Sequence, residues 1–173
     1  MTQLNIEIKA KSNNQDWVRE VLKSHHAEFK GVDHQVDTYF IVSFGRLKLR
    51  EGNIENSLVH YDREDKDGPK QSNVTFYKSA DKLSLKEILT KSLGVLAVVD
   101  KTREIYFIDN VKFHIDKVKD LGTFVEIEAI DQDGKIGKYK LLEQCDYYLR
   151  LFEIKKEDLI SNSYSDLLMK KVK

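Results

Sequence analysis

The sequence of 173 residues contains one cysteine and one proline. The cysteine, Cys145, cannot form a disulfide within the chain, and its place on the apolar stripe of a predicted helix is typical of a buried, inert thiol. No apolar stretch approaches the ~20 residues that span a bilayer, and the first residues alternate like a strand instead of forming a signal peptide. We therefore expect a cytoplasmic protein from which nothing is cleaved.

Net charge is also absent, because Lys and Arg together number 29 and so do Asp and Glu. Balanced charge gives no reason to expect a nucleic-acid or membrane partner. The length predicts one domain over residues 1–173, with enough hydrophobic residues, 40%, to form its core. Charged residues make up 34% of the chain, and many fall within alternating segments. Function therefore depends on which face of the strands they occupy.

Strand patterns dominate the sequence, since eight segments alternate between apolar and polar residues. These segments cover residues 4–11, 29–42, 46–50, 58–64, 71–78, 95–108, 112–118 and 123–130. Helical spacing of apolar residues is found over residues 14–26, 80–93, 138–152 and 156–169. So many strands with short connections favour an α+β fold, in which an antiparallel eight-stranded sheet closes or nearly closes into a barrel with helices packed on its outside.

Charged side chains share one face of four predicted strands. The members of these faces are Glu7, Lys9 and Lys11; Arg46, Lys48 and Arg50; Lys112, His114 and Asp116; and Glu126 and Glu128. The usual explanation is a sheet whose polar face meets water. The alternative places this face inside the barrel, where basic side chains and a few carboxylates suit a polyanion bound through metal ions. The apolar stripes of the predicted helices favour the interior, because they need the apolar strand faces as partners.

Two residue types on these faces point to particular chemistry. Glu126 and Glu128 lie two apart on one strand, so both project in the same direction and can share a hard cation such as Mg²⁺ or Mn²⁺. Arginine is the side chain best shaped for bidentate contacts to phosphate. The histidines His34 and His114 are expected to be hydrogen-bonded structural residues, and neither is assigned to catalysis.

Ordered motifs along the chain resemble the CYTH family, the triphosphate tunnel metalloenzymes that include class IV adenylyl cyclases, thiamine triphosphatases and inorganic triphosphatases. The resemblance covers nearly the whole chain. Its main motifs here are Asn5-Ile6-Glu7-Ile8-Lys9, Asp37-Thr38-Tyr39-Phe40, Gly45-Arg46-Leu47-Lys48-Leu49-Arg50-Glu51, Tyr61-Asp62-Arg63, Gly68-Pro69-Lys70, Lys101-Thr102-Arg103, Phe113-His114-Ile115-Asp116 and Gly122-Thr123-Phe124-Val125-Glu126-Ile127-Glu128.

The resemblance implies a tunnel of eight antiparallel strands in which basic side chains grip a triphosphate. The basic positions that match are Lys9, Arg46, Arg50, Arg63, Lys70, Lys101 and Arg103. Two of these, Lys9 and Arg103, are also the predicted catalytic residues. The acidic positions that match are Glu7, Asp116, Glu126 and Glu128, which would hold one or two Mg²⁺ or Mn²⁺ ions.

Three functions remain open, and the resemblance slightly favours the bacterial class IV adenylyl cyclases, which convert ATP to cyclic AMP and pyrophosphate. The second is a triphosphatase acting on inorganic, thiamine or nucleoside triphosphates. The third is a weakened enzyme or a triphosphate-binding protein, because Asn5 replaces the first glutamate of the family's Glu-x-Glu-x-Lys strand, and an amide offers metal only a neutral oxygen. Family members are often dimeric, so a homodimer is possible.

Overall fold

A computed structural model describes residues 2–172 of the chain. Its eight strands are β1 (Thr2–Lys11), β2 (Glu28–Phe40), β3 (Arg46–Glu51), β4 (Asn56–Arg63), β5 (Lys70–Tyr77), β6 (Val95–Ile108), β7 (Val111–Val118) and β8 (Gly122–Asp131). All neighbours are antiparallel, and the sheet closes into a barrel in the order β1-β5-β4-β3-β2-β6-β7-β8. The predicted α+β fold with a closed eight-stranded barrel is therefore confirmed.

Four helices lie outside the barrel. They are α1 (Gln15–Ser24), α2 (Lys82–Leu93), α3 (Lys138–Leu151) and α4 (Tyr164–Val172). Helix α1 begins after Asn14, whose side chain accepts a hydrogen bond from the Trp17 backbone, and α2 begins after Asp81, which caps Ser84 in the same way. Helix α2 ends at Gly94, where φ is 78°, a conformation that glycine adopts without strain. Over residues 2–172, no helix has the length and apolar character needed to cross a membrane.

The main hydrophobic core lies between the barrel and the helices α1 and α3. Ile6 and Ile8 of β1 and Ile127 of β8 pack against Leu22 of α1 and Leu141 of α3, and all five side chains are buried. Burying each such side chain stabilises the fold by roughly 1.5–3 kcal/mol. Because the apolar faces of these strands meet the helices, their charged faces point into the barrel. The interior interpretation of the charge pattern is therefore correct.

One sequence prediction is wrong, because a helix over residues 156–169 forms only in its second half. Residues Lys156–Asp158 make a single 3-10 turn, and Leu159 then forms a β-bridge with Ala10. The Ile160 backbone N–H donates to the Lys9 carbonyl at 2.9 Å. This pairing with the end of β1 keeps the segment extended, and the helix starts only at Tyr164.

Candidate active site

A cavity of about 700 Å³ occupies the interior of the barrel. Ile54 of the β3–β4 loop and Lys82 at the start of α2 line the open end of the cavity. Ser163 and Tyr164 close the other end. Among residues 2–172, nine basic side chains line the cavity, against four acidic ones. The acidic residues are Glu7, Glu55, Glu126 and Glu128, and the basic ones are Lys9, Lys48, Arg50, Arg63, Lys78, Lys82, Lys101, Arg103 and Lys112.

This surplus of positive charge is local, because the whole chain is neutral. A cavity with low-dielectric walls concentrates the field of the charges that line it, so the interior strongly attracts anions. The distribution of charge thus suits a polyanionic ligand, whereas the balanced overall composition gave no reason to expect one.

The first charge cluster is centred on Asp37, which is fully buried on β2. Its carboxylate accepts two hydrogen bonds from Arg50, at 2.9 and 2.8 Å, and one from Lys101 at 2.7 Å. Lys48 lies 3.3 Å from the same carboxylate. Although burial alone raises its pKa, these cations hold the pKa of Asp37 well below its usual value. One carboxylate therefore orients three cations and leaves most of their charge available to a ligand.

The second cluster joins Arg103 to two acids of the neighbouring strands. Asp116 accepts from Arg103 at 2.7 and 2.6 Å, and Glu126 accepts from it at 3.1 Å. Glu126 also lies 3.3 Å from the Lys9 amine. Arg103 is almost wholly buried. Such a bidentate buried pair fixes the guanidinium in one orientation.

The third cluster is a wall of carboxylates on β1 and β8. Glu7 lies opposite Glu128 in the strand pairing, and Arg63 forms a salt bridge with Glu7. Glu128 makes no salt bridge within the described part of the chain, and its close partner is the Asn5 amide, which donates to it at 2.5 Å. Burial raises the pKa of Glu128, Lys112 on β7 opposes this rise, and the nearby Glu7 and Glu126 add to it.

These carboxylates fit a hard divalent cation by charge and ligand type. Three glutamates line the cavity, and Glu128 makes no salt bridge within residues 2–172, so a bound ion could supply the positive charge at close range that it lacks. Over residues 2–172, however, no group of three acidic, histidine or cysteine side chains is already gathered at metal-binding geometry. An ion bound here would take the place of Arg63 at Glu7. The guanidinium would then be free, and its Nε and Nη2 atoms already lack a protein partner.

The open end of the cavity combines charge with apolar surface. Glu55, from the β3–β4 loop, forms salt bridges with Arg50 and Lys112. Asp33 accepts three backbone hydrogen bonds from residues 53–55, at 2.8 to 2.9 Å, and so fixes that loop. Phe76 and Phe107 line the cavity at the same end. This end can therefore accommodate an organic group beside the charged interior.

The structure brings eight of the eleven predicted site residues together around one cavity. They are Glu7, Lys9, Arg50, Arg63, Lys101, Arg103, Glu126 and Glu128. Asp116 lies behind Arg103, while Arg46 borders a separate cavity of about 120 Å³ and Lys70 bonds to the C-terminal segment. The individual roles of all eleven stay predictions.

Sequence reasoning missed five residues that shape the cavity, namely Asp37, Lys48, Glu55, Lys112 and Tyr164. The alternation of β3 and β7 had already put Lys48 and Lys112 on the charged faces, so those two could have been found. Glu55 lies in a loop and Tyr164 is distant in sequence, and neither position carries a periodic signal.

Both histidines are hydrogen-bonded and the cysteine is buried, as predicted, and His114 also lines the cavity. His34 lies 2.7 Å from Asp100 in an exposed pair, and His114 bonds to Glu126 at 3.0 Å. Burial lowers the pKa of His114 to about 4, so its ring is neutral at pH 7. Cys145 is fully buried and its pKa is raised by burial to about 12, which makes it unreactive.

Comparison with known proteins agrees with this geometry. The CYTH domain profile matches residues 3–144, and the chain therefore belongs to the CYTH family. A relative from Methanocaldococcus jannaschii, named as a putative adenylate cyclase, is 30% identical over 95% of this chain and 98% of its own length.

Solved structures share the fold. A protein of Pyrococcus horikoshii superposes with a TM-score of 0.75 and 27% identity, over 94% of this chain and 98% of that one. A Hippeastrum protein described as a putative adenylyl cyclase with a dominant triphosphatase activity has a TM-score of 0.63 and 11% identity, over 98% of this chain and 95% of that one. At that identity the Hippeastrum protein supports the fold alone.

Replacing Asn5 with glutamate is expected to lower the stability of the metal-free protein and to raise its affinity for Mg²⁺. Glu128 would lose its amide donor and gain a charged neighbour, which should lower the free energy of unfolding without metal by about 1–3 kcal/mol. The added carboxylate should strengthen Mg²⁺ binding, measured by titration calorimetry. Asn5→Gln, which keeps the amide, is the control. Unchanged Mg²⁺ affinity in Asn5→Glu would remove this position from the metal site.

Proposed function

We propose that the barrel binds a nucleoside triphosphate together with a divalent cation and converts it to a cyclic nucleotide and pyrophosphate. The observation that carries this proposal is the segregation of nine basic side chains and a wall of glutamates inside one cavity of a neutral chain. A triphosphate with about four negative charges is complementary to such a surplus. Charge-assisted hydrogen bonds to phosphate stabilise a complex by about 1.5–3 kcal/mol each, so several together support tight binding.

The placement of charge supports one orientation of the ligand. Lys9, Lys48 and Lys101 surround the closed half of the cavity, with the ring of Tyr164 under Lys9 at 3.9 Å. The phosphates therefore belong in this half. The aromatic side chains Phe76 and Phe107 at the open end would then face the nucleoside, since bases stack on aromatic rings.

Glu7, Glu126 and Glu128 would hold the Mg²⁺ or Mn²⁺ ion, as the chemistry of this donor set supports. When bound, the ion supplies charge neutralisation and polarisation of the phosphoryl oxygens. The protein's own contribution is the fixed array of cations. Arg103 and Lys9 would stabilise the negative charge that gathers on the departing pyrophosphate, and Arg103 needs no rearrangement because Asp116 already orients it.

The direction of attack favours cyclisation over hydrolysis. In cyclisation the ribose 3′-oxygen forms a bond to the α-phosphorus, and the hydroxyl proton passes to solvent. The bond between the α-phosphorus and the oxygen that bridges it to the β-phosphorus breaks, and pyrophosphate leaves with that electron pair. This attack comes from the nucleoside side, which is the open end. Water attacking the γ-phosphorus in line would need to approach from the closed end, where Tyr164 lies. The name of the Methanocaldococcus relative agrees with cyclisation, and hydrolysis is the second candidate because the CYTH family also includes triphosphatases.

Product analysis tests the proposal. The purified protein is incubated with ATP and, separately, with inorganic tripolyphosphate, each with Mg²⁺ or Mn²⁺, and cyclic AMP, pyrophosphate and phosphate are resolved. Cyclic AMP with equal pyrophosphate from ATP, and little phosphate from tripolyphosphate, is the expected result. Phosphate from both substrates would establish a triphosphatase instead. Binding of ATP with no product would identify a triphosphate-binding protein.

Binding of the triphosphate is expected to take up a proton near neutral pH. Burial lowers the pKa of Lys101 to about 7; Asp37 opposes this shift, and the neighbouring Arg50 and Arg103 add to it. A bound polyanion favours the charged amine, so affinity should fall as pH rises above 7, by up to about tenfold per unit for one proton. Calorimetry with a non-cleavable ATP analogue in buffers of different ionisation enthalpy measures the uptake. Lys101→Arg, whose side chain stays charged, should bind without this proton.

A further inference from the structure

The closed end of the cavity is built by the segment of residues 159–166, which lies outside the eight strands. Besides the contacts of Leu159 and Ile160 with the end of β1, the buried amine of Lys70 donates to the carbonyls of Ile160 and Ser161 at 3.0 and 2.9 Å. These bonds tie the segment to β1 and β5 at once. The closure is therefore part of the packed structure.

A second basic residue fastens the same segment from β3. Arg46 donates to Asp166 at 2.8 Å, and Asp166 in turn accepts from the backbone N–H of Ser163 at 3.2 Å. Arg46 and Lys70 are two of the seven basic residues predicted to bind phosphate. In this structure both donate hydrogen bonds to the C-terminal segment, and neither lines the main cavity.

Tyr164 is the side chain that the segment delivers into the barrel. It is 3% exposed, and its hydroxyl donates to Asp116 at 2.7 Å. Its ring packs on Phe124 at 5.0 Å between centroids and lies 3.9 Å from the amine of Lys9. Tyr164 thus lies directly beyond Lys9, which is proposed to contact the phosphates. Its hydroxyl is bonded to Asp116, the partner of Arg103.

We propose that Tyr164 is the floor of the tunnel and limits the bound phosphate chain to three phosphates. The inference rests on the proposed function, in which the phosphates lie in the closed half. A fourth phosphate would have to displace the ring of Tyr164 from Lys9, and the cations beyond it, Arg46 and Lys70, are already engaged. Tyr164 is in this sense a specificity-determining residue for chain length.

Relative affinity for two ligands tests the inference without requiring catalysis. Analogues of ATP and of adenosine 5′-tetraphosphate in which methylene groups replace every bridging oxygen of the phosphate chain, and which are therefore not cleaved, are titrated calorimetrically into the full-length protein at pH 7 with Mg²⁺. The wild type should prefer the triphosphate by about tenfold or more, the equivalent of about 1.4 kcal/mol. Tyr164→Ala should lose that preference, because the fourth phosphate then has space below Lys9.

Two further variants distinguish a limit on chain length set by Tyr164 from an effect of losing any packed tyrosine. Tyr164→Leu keeps an apolar side chain against Phe124 but is shorter than tyrosine, so it should also lose the preference if the alanine variant does not fold. Tyr148→Ala removes a tyrosine from α3, which packs on Phe113 outside the barrel, and should retain the preference.

The outcomes distinguish the two proposals. If the wild type binds the triphosphate analogue, and Tyr164→Ala and Tyr164→Leu keep its preference for the triphosphate over the tetraphosphate, the role of Tyr164 is overturned and the proposed function stands. Equal affinity of the wild type for both analogues would lead to the same conclusion. A wild type that binds neither analogue would overturn both.

Discussion

Replacing Arg103 with alanine is expected to lower the free energy of unfolding by about 3–5 kcal/mol and to abolish triphosphate binding. The guanidinium makes two hydrogen bonds to Asp116 and one to Glu126, and Asp116 is fully buried. In Arg103→Ala, the Tyr164 hydroxyl is the remaining side-chain hydrogen-bond donor to Asp116. One neutral hydroxyl does not compensate the charge of a buried carboxylate. Urea denaturation and titration calorimetry measure the two effects.

A double variant separates stability from binding. Arg103→Met combined with Asp116→Leu replaces the buried pair by apolar side chains of similar size, an exchange that is often neutral or stabilising. We expect most of the lost stability to return while triphosphate binding stays absent, because the cation is still missing. Binding at the wild-type level in the double variant would place Arg103 outside the site.

Two neighbouring glutamates are expected to respond in opposite ways to the same substitution. Glu126→Gln should destabilise the protein, because Glu126 pairs with Lys9, Arg103 and His114 and its pKa is held well below the usual value by Arg103 and Lys9. Glu128→Gln should raise the free energy of unfolding by about 1 kcal/mol at pH 8, since it removes a carboxylate whose pKa is raised by burial and which the nearby Lys112 compensates only in part. The same Glu128→Gln change should weaken Mn²⁺ binding by more than about tenfold.

The pH dependence of Glu128→Gln follows from the direction of the pKa shift. The folded protein binds the Glu128 proton more tightly than the unfolded chain does, so the wild type loses stability as pH rises through the raised pKa. The variant lacks this loss, and its advantage should vanish below pH ~4, where the carboxyl is protonated in both states. Glu143→Gln, on the exposed side of α3, is the matched control. A destabilised Glu128→Gln would contradict the assignment of an only partly compensated charge.

Most of the barrel could be predicted from the sequence because alternation reports directly on which face a side chain occupies. Glu7 and Lys9 alternate with Ile6 and Ile8, and the structure puts the first pair in the cavity and the second against the helices. The sorting is strong here because both faces of β1 are enclosed, one by polar groups and one by the core. Cytoplasmic location and a homodimer stay predictions.

The closed end could not be predicted, because it depends on contacts between residues distant in sequence. The apolar residues at 156–169 fit a helix, but Lys70 binds the carbonyls of Ile160 and Ser161 across 90 residues and holds that part extended. The contacts of Arg46 and Lys70 with this segment could not be predicted either, and their assignment to phosphate stays a prediction. Asp37 was missed for a similar reason, as its three cations come from β3 and β6.

A crystal structure with Mn²⁺ and α,β-methylene ATP would test the central claim, that the barrel interior is a triphosphate site, most directly. The predicted complex has the phosphates among Lys9, Lys48 and Lys101 in the closed half, Mn²⁺ on Glu7, Glu126 and Glu128, and the adenine near Phe76 and Phe107 at the open end. An analogue bound outside the barrel, or bound with its phosphates at the open end and its base against Tyr164, would contradict it.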